Sequence, residues 1–179
     1  MMMLKKTSAI LTLTLSLMTP VVSAGNLEQS GDVLHLALPL TALSATLLIE
    51  DDYQGMWQLA ATLASSRVGV EALKYTVDKD RPDGSGNDSF PSGHSADSFA
   101  AATFIYRRYG WEYGVPAYVA SSYVAYSRVA SDKHETSDVL AGAAIGALAG
   151  WYFTQPFKGV NITPIAYNGT YGVYVSGQF

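Results

Sequence analysis

Three short clusters between Lys74 and Asp138 hold most of the side chains in this sequence that could do chemistry. Lys74 to Pro82 reads K-x6-R-P, Pro91-Ser92-Gly93-His94 reads P-S-G-H, and Ser127 to Asp138 reads S-R-x5-H-x3-D. Two histidines, three fixed cations, a carboxylate and a Ser-Gly turn are the groups needed to handle a phosphoryl group. His134 and Asp138 are four apart, so on a helix they share one face and the carboxylate can hold one imidazole nitrogen. That fixes the tautomer and leaves the other nitrogen as a nucleophile or base. Ser92-Gly93 directly precedes His94 and a helix-like run from Ser95 to Tyr109. Backbone N–H groups at such a helix start cradle anions, and glycine lets an oxyanion approach closely. Lys74, Arg81 and Arg128 lie in a mostly apolar chain, where an uncompensated cation is costly. A dianionic phosphate would compensate them.

The three clusters together resemble the signature of the type 2 phosphatidic acid phosphatase (PAP2) superfamily, which also includes bacterial non-specific acid phosphatases and vanadium haloperoxidases. Eleven positions agree in type and internal spacing: Lys74, Arg81, Pro82, Pro91, Ser92, Gly93, His94, Ser127, Arg128, His134 and Asp138. A lone P-S-G-H would be weak evidence, whereas three ordered motifs without substitution are strong. The resemblance implies a compact all-α bundle of about five or six helices. It also implies phosphomonoester or diphosphate hydrolysis through a phosphohistidine, with His134 attacking phosphorus and Asp138 holding its imidazole. His94 would protonate the leaving oxygen and then help activate water, while Lys74, Arg81, Ser92, Gly93 and Arg128 bind the phosphate oxygens. The family works without a metal cofactor, so none is expected. A divalent ion on His94, His134 and Asp138 would be repelled by three nearby cations. Two alternatives remain: vanadium-dependent halide oxidation, usually found in longer chains, and a non-catalytic envelope or lipid-binding protein. Substrates open to the family are lipid phosphates, isoprenyl diphosphates and soluble phosphomonoesters.

The elements that must position these groups follow from composition and pattern. A chain of 179 residues suits one domain, and its residues are 49% hydrophobic with only 15% charged. That apolar balance favours a lipid phosphate substrate and an envelope membrane as partner. The net charge of −4 gives no support to a nucleic-acid partner. There are no cysteines, so disulfides and thiolate chemistry are excluded. Residues 1–24 read as a secretory signal: Lys5 and Lys6, an apolar stretch from Ala9 to Met18, then Val22-Ser23-Ala24. Removing the two lysines would take the net charge from −4 to −6. A retained membrane anchor is the alternative. The expected product is exported, and is either periplasmic or associated with an envelope membrane. A phosphatase domain is expected over residues 25–160 and a tail over 161–179.

Helices are expected over Val33 to Ile49, Met56 to Val77, Ser95 to Tyr109, Val115 to Ser127 and Glu135 to Phe153. Gly31-Asp32 reads as a helix start, His35 as a satisfied or interfacial histidine, and Glu50-Asp51-Asp52 as a solvated turn. Arg67 and Glu71 are placed to pair with each other. Asp78 to Pro91 is a loop whose acidic residues, Asp88 included, read as solvated turn positions rather than a calcium site. The small residues of the last helix permit close packing. Trp57, Trp111, Tyr113, Trp151 and Tyr152 near helix ends suit either a membrane belt or ordinary packing. Ile165 to Val175, with Asn168-Gly169 at its centre, reads as a short β-hairpin.

Overall fold

The computed structural model describes residues 24–157, 161–167 and 170–176. The expected signal segment lies outside them except for Ala24. Five helices form the body: α1 (Ala24–Ile49), α2 (Gln54–Thr76), α3 (Gly93–Tyr109), α4 (Trp111–Ala130) and α5 (Thr136–Phe153). Each expected helical run corresponds to one of them, although α1 and α4 extend further. The earlier start of α1 carries Asp32 from the expected helix boundary into the helix. The backbones of Asn161–Tyr167 and Thr170–Ser176 run antiparallel to each other. The Asn168-Gly169 turn expected between them lies outside the described residues, and the tail is no part of the helical fold.

Successive helices alternate in direction. His94 at the start of α3 meets Asp32 in the first half of α1, and Arg108 near the end of α3 meets Glu50 just past the end of α1. The starts of α1, α3 and α5 and the ends of α2 and α4 therefore share one end of the bundle. All three sequence clusters belong to that end. The turn from α3 to α4 is made by Gly110 alone, whose φ of 95° is open to glycine and strained for a side chain.

Helix α3 is the axis. Ala96, Ala100, Ala101, Ala102 and Phe104 have no exposed surface, and the core cluster adds Leu38 and Ala42 from α1, Leu59 from α2 and Ala117 from α4. Helix α5 reaches α3 through Gly142, Gly146 and Gly150, spaced four apart on one face. A Cβ at Gly146 would stand 2.0 Å from the Ala96 carbonyl oxygen, and one at Gly142 would stand 2.2 Å from that of Ser92. The two helices thus touch backbone to backbone, as the small residues of α5 suggested.

At the far end the structure corrects one expectation. Glu50 is not a solvated turn residue but is buried, with both carboxylate oxygens on Arg108 at 2.9 and 2.6 Å. The Tyr109 hydroxyl and the Gly55 amide donate to the same carboxylate at 2.7 and 3.1 Å. A charge can sit in a core when its partners surround it, and here four donors do so. The sequence conceals this because Arg108 and Tyr109 lie more than fifty residues away in α3. The outer surface is apolar, with Val33, Leu36 and Leu40 of α1 and Leu140 and Leu148 of α5 exposed. Among the described residues α1 is the one helix long and apolar enough to cross a membrane, with mean hydropathy 1.7.

The glycine contact yields a direct test. Gly146→Ala should cost about 1–3 kcal/mol through overpacking and lower the melting temperature by several degrees. Differential scanning calorimetry reads the shift, and an unchanged midpoint would mean that α5 does not rest on the α3 backbone.

Candidate active site

The site is built where helix ends converge. Ser92 caps α3, its hydroxyl accepting the Ser95 N–H at 3.4 Å while its carbonyl accepts the Ala96 N–H at 3.1 Å. This leaves the amides of Gly93 and His94 at the helix start without an acceptor inside the helix. The Ser92 N–H donates to the Asp138 carbonyl at 2.9 Å, tying the P-S-G-H turn to the first turn of α5.

His134 is buried, and its Nδ1 lies 2.7 Å from the carbonyl oxygen of Ser89. A carbonyl only accepts, so Nδ1 carries the proton and Nε2 keeps its lone pair. The expected partner, Asp138, stands 3.9 Å from Nδ1, beyond hydrogen-bond distance. The reason is local. His134 precedes the Glu135 cap of α5, so the shared helical face expected for positions four apart never forms. Asp138 instead completes a capping box with Glu135 and accepts from the Ser89 hydroxyl at 2.6 Å and from the Glu135 amide at 2.9 Å. Lys79 donates to its other oxygen. Ser89 is therefore the hinge of the arrangement, with its carbonyl on the imidazole and its hydroxyl on the carboxylate.

The cations are compensated by residues that the sequence reading set aside. Asp88 is solvent-exposed, as a turn residue should be, yet it also holds two of the cations. It accepts from Arg81 Nε at 2.8 Å, Arg81 Nη2 at 3.2 Å and Lys74 Nζ at 3.1 Å. Asp32 accepts from Arg128 Nη1 at 2.7 Å and lies 3.1 Å from His94 Nε2. His35 hydrogen-bonds Asp97 at 3.1 Å, as a satisfied histidine should, yet its ring also stacks on that of His94 with centroids 4.2 Å apart. Arg67 does reach Glu71 at 3.4 Å, but it pairs more closely with Asp97. Asp32 and His35 are three apart on α1, so one helical face delivers both. That spacing was present in the sequence; what hid it was the placement of the helix start at Asp32. The structure thus brings Lys74, Arg81, Ser92, Gly93, His94, Arg128, His134 and Asp138 to one end of the bundle, together with Asp32, His35, Asp88 and Ser89.

The PAP2 superfamily model matches residues 55–161 of this chain. The chain belongs to that superfamily. Lipid A 4'-phosphatase of Helicobacter pylori strain J99 is 33% identical over 143 residues, 74% of this chain and 71% of that protein. Lipid A 1-phosphatase of Porphyromonas gingivalis is 45% identical over 85 residues, and this chain spans only 19% of that relative's length. Two solved structures share the fold. The crystal structure of Aquifex aeolicus LpxE gives a TM-score of 0.61 at 20% identity over 73% of this chain and 84% of that one. The Bacillus subtilis transmembrane PAP2 type phosphatidylglycerolphosphate phosphatase gives 0.58 at 23% identity over 73% and 72%. Family and relatives together make the chain a PAP2-type phosphatase. Asp32 and His35 precede the stretch that the PAP2 model covers, so the family pattern is silent on both.

Electrostatics bind this PAP2 site into one unit. Burial, with the charges of His35, Arg128 and His134 added, pushes the His94 imidazole down to about 3. Burial and then Arg81 push His134 down to about 4, against the pull of the Ser89 carbonyl and Asp138. Burial disfavours ionised Asp138, but hydrogen bonds from Lys79, Ser89 and the Glu135 amide outweigh it and hold the group below the usual carboxylate range. Both histidines are consequently neutral near neutral pH.

The sign of the pH dependence follows. Unfolded histidines take up protons near pH 6.5, whereas these two resist until about 4 and about 3, so the unfolded state binds more protons in between. Stability should be full above about pH 6.5 and decline as pH falls toward 4. Thermal melts across that range read the decline. The double variant His94→Gln, His134→Gln should flatten it; an equal slope in both proteins would show that the histidines are not buried neutral.

Proposed function

We propose that this chain hydrolyses a phosphate monoester or diphosphate carried on a lipid, without a metal ion, through a phosphohistidine at His134. The observation that carries the reading is the Ser89 carbonyl on His134 Nδ1, which leaves Nε2 basic and unprotonated. The Coulomb effects of Arg81 and Arg128 on that ring support a phosphoryl group seated beside it. In the first step His134 Nε2 forms a bond to phosphorus as the bond from phosphorus to the leaving oxygen breaks, and His94 supplies the proton to that oxygen. In the second step water attacks phosphorus, His94 takes its proton, and the nitrogen–phosphorus bond breaks to release inorganic phosphate. Lys74, Arg81, Arg128 and the α3 amides bind the phosphoryl oxygens and stabilise the added charge of the transition state. Asp138 acts on His134 at one remove, by fixing Ser89 and offsetting imidazolium charge from 3.9 Å.

His94 is neutral near neutral pH, yet a general acid needs a proton. A bound dianion removes the repulsion from Arg128 and raises the imidazole, so substrate and proton arrive together. The named relatives act on the 1- and 4'-phosphates of lipid A, which supports a lipid A phosphate as the first substrate to try. The exposed apolar faces and the length of α1 support a chain held at an envelope membrane. Export by the signal-like segment at residues 1–24 belongs to the same reading, with the site facing the non-cytoplasmic side.

Phosphate release from lipid A and from a chromogenic phosphomonoester tests the proposal. His134→Ala should abolish turnover, and Asp138→Asn should retain a residue lower by about 10²-fold or more. Orthovanadate should compete with substrate because its geometry resembles the transition state, and EDTA should change little. Normal phosphate release by His134→Ala, or strict dependence on an added divalent ion, would sink it. Halide oxidation after vanadate loading would favour the haloperoxidase alternative.

A further inference from the structure

Resting on that reading of the site, we propose that Asp88 is an internal surrogate for the substrate phosphate, which every phosphoester must displace and whose cost an apolar anchor helps to offset. Lys74 and Arg81 are 14% and 19% exposed, too covered for water alone to neutralise them. Asp88 answers both at once, with one oxygen on Arg81 Nε and the other shared between Arg81 Nη2 and Lys74 Nζ. Forked guanidinium and ammonium donors on a carboxylate are the same contacts a phosphoryl group would make. The Asp88 side chain is itself half exposed at 51%, so it can swing into water when a stronger anion arrives.

Arg128 is compensated differently. It is buried, its Nη1 holds Asp32 and its Nη2 is 3.8 Å from Glu28, while its Nε finds no hydrogen-bond partner. A buried donor left unpaired costs free energy until an acceptor comes, so a phosphoryl oxygen that reaches this Nε gains a hydrogen bond that no other described residue supplies.

The consequence is a cost on every phosphoester that binds. A tethered carboxylate competes at an effective concentration of order millimolar, and apparent affinity falls by the fraction of sites it leaves open. Inorganic phosphate and small soluble phosphoesters have only the phosphoryl contacts with which to oppose it. A phosphorylated lipid adds the burial of its apolar body and bears the exchange easily. Asp88 thus limits hydrolysis of soluble esters and product retention alike.

The test uses the full chain in detergent, with inorganic phosphate as the binding probe and p-nitrophenyl phosphate and phosphatidic acid in mixed micelles as substrates. Asp88→Asn should tighten inorganic phosphate by about tenfold or more, the inverse of the open fraction. It should also raise kcat/KM for p-nitrophenyl phosphate and for phosphatidic acid by a similar factor, because both must displace the same carboxylate. Unchanged or weaker phosphate binding in the folded variant overturns the inference. If that variant does not fold, the wild type decides: adding orthovanadate must shift the carboxyl carbon resonance of Asp88, and a bound but unshifted state overturns the inference equally. A wild type that binds neither anion and releases no phosphate would instead bring down the phosphatase reading itself.

Discussion

The backbone contact between α3 and α5 is the constraint on which the site depends. Three glycines on α5 let it lie against the carbonyls of α3, and Gly142 sits directly over Ser92. That closeness allows the Ser92 amide to reach the Asp138 carbonyl and the Ser95 hydroxyl to reach the Val139 carbonyl at 2.9 Å. Two helix starts, normally sites of unsatisfied N–H groups, are thereby locked side by side. His94 on one and His134 just ahead of the other are thereby held at the same end of the bundle. At the opposite end, the buried Glu50–Arg108 pair does the same for α1 and α3. It sets how far α1 lies along the bundle, and therefore where Asp32 and His35 arrive.

Charge balance is the second theme. A concentration of Lys74, Arg81 and Arg128 in a low-dielectric bundle cannot be left uncompensated, and the protein meets the need with its own Asp88 and Asp32. The histidines, wedged among cations, stay neutral. Such a site is preorganised for an anion and held in readiness by weaker ones, which is how a transition state can be favoured over everything else that binds. In the proposed mechanism neutral His134 is ready to act as the nucleophile, while neutral His94 becomes an acid only when negative charge arrives.

What the sequence determined by itself is membership of a phosphatase superfamily and the count of helices. Motif residues carry their types and local spacing in the chain, so K-x6-R-P, P-S-G-H and S-R-x5-H-x3-D were legible without coordinates, as was the glycine stripe of α5. Helical periodicity is likewise local, and α2, α3 and α5 start and stop within two residues of where their patterns do.

What only the tertiary structure decided is who partners whom. Asp138 was assigned to His134 on the assumption of a shared helix face, but the helix begins two residues after His134, and the carbonyl of Ser89, forty-five residues upstream, takes the ring nitrogen. Asp88 looked like a loop carboxylate and Asp32 like a cap, because nothing in their neighbours' identities says that the loop folds Asp88 back onto Arg81 or that Arg128 lies across the bundle from Asp32. His35 matched no motif, yet it stacks on the general-acid candidate because α1 crosses α3 at that height. Hydrogen bonds and ion pairs act over about 3 Å in space and are indifferent to separation along the chain. A pattern read along the chain therefore finds the motif residues, and the packing of five helices assigns their partners.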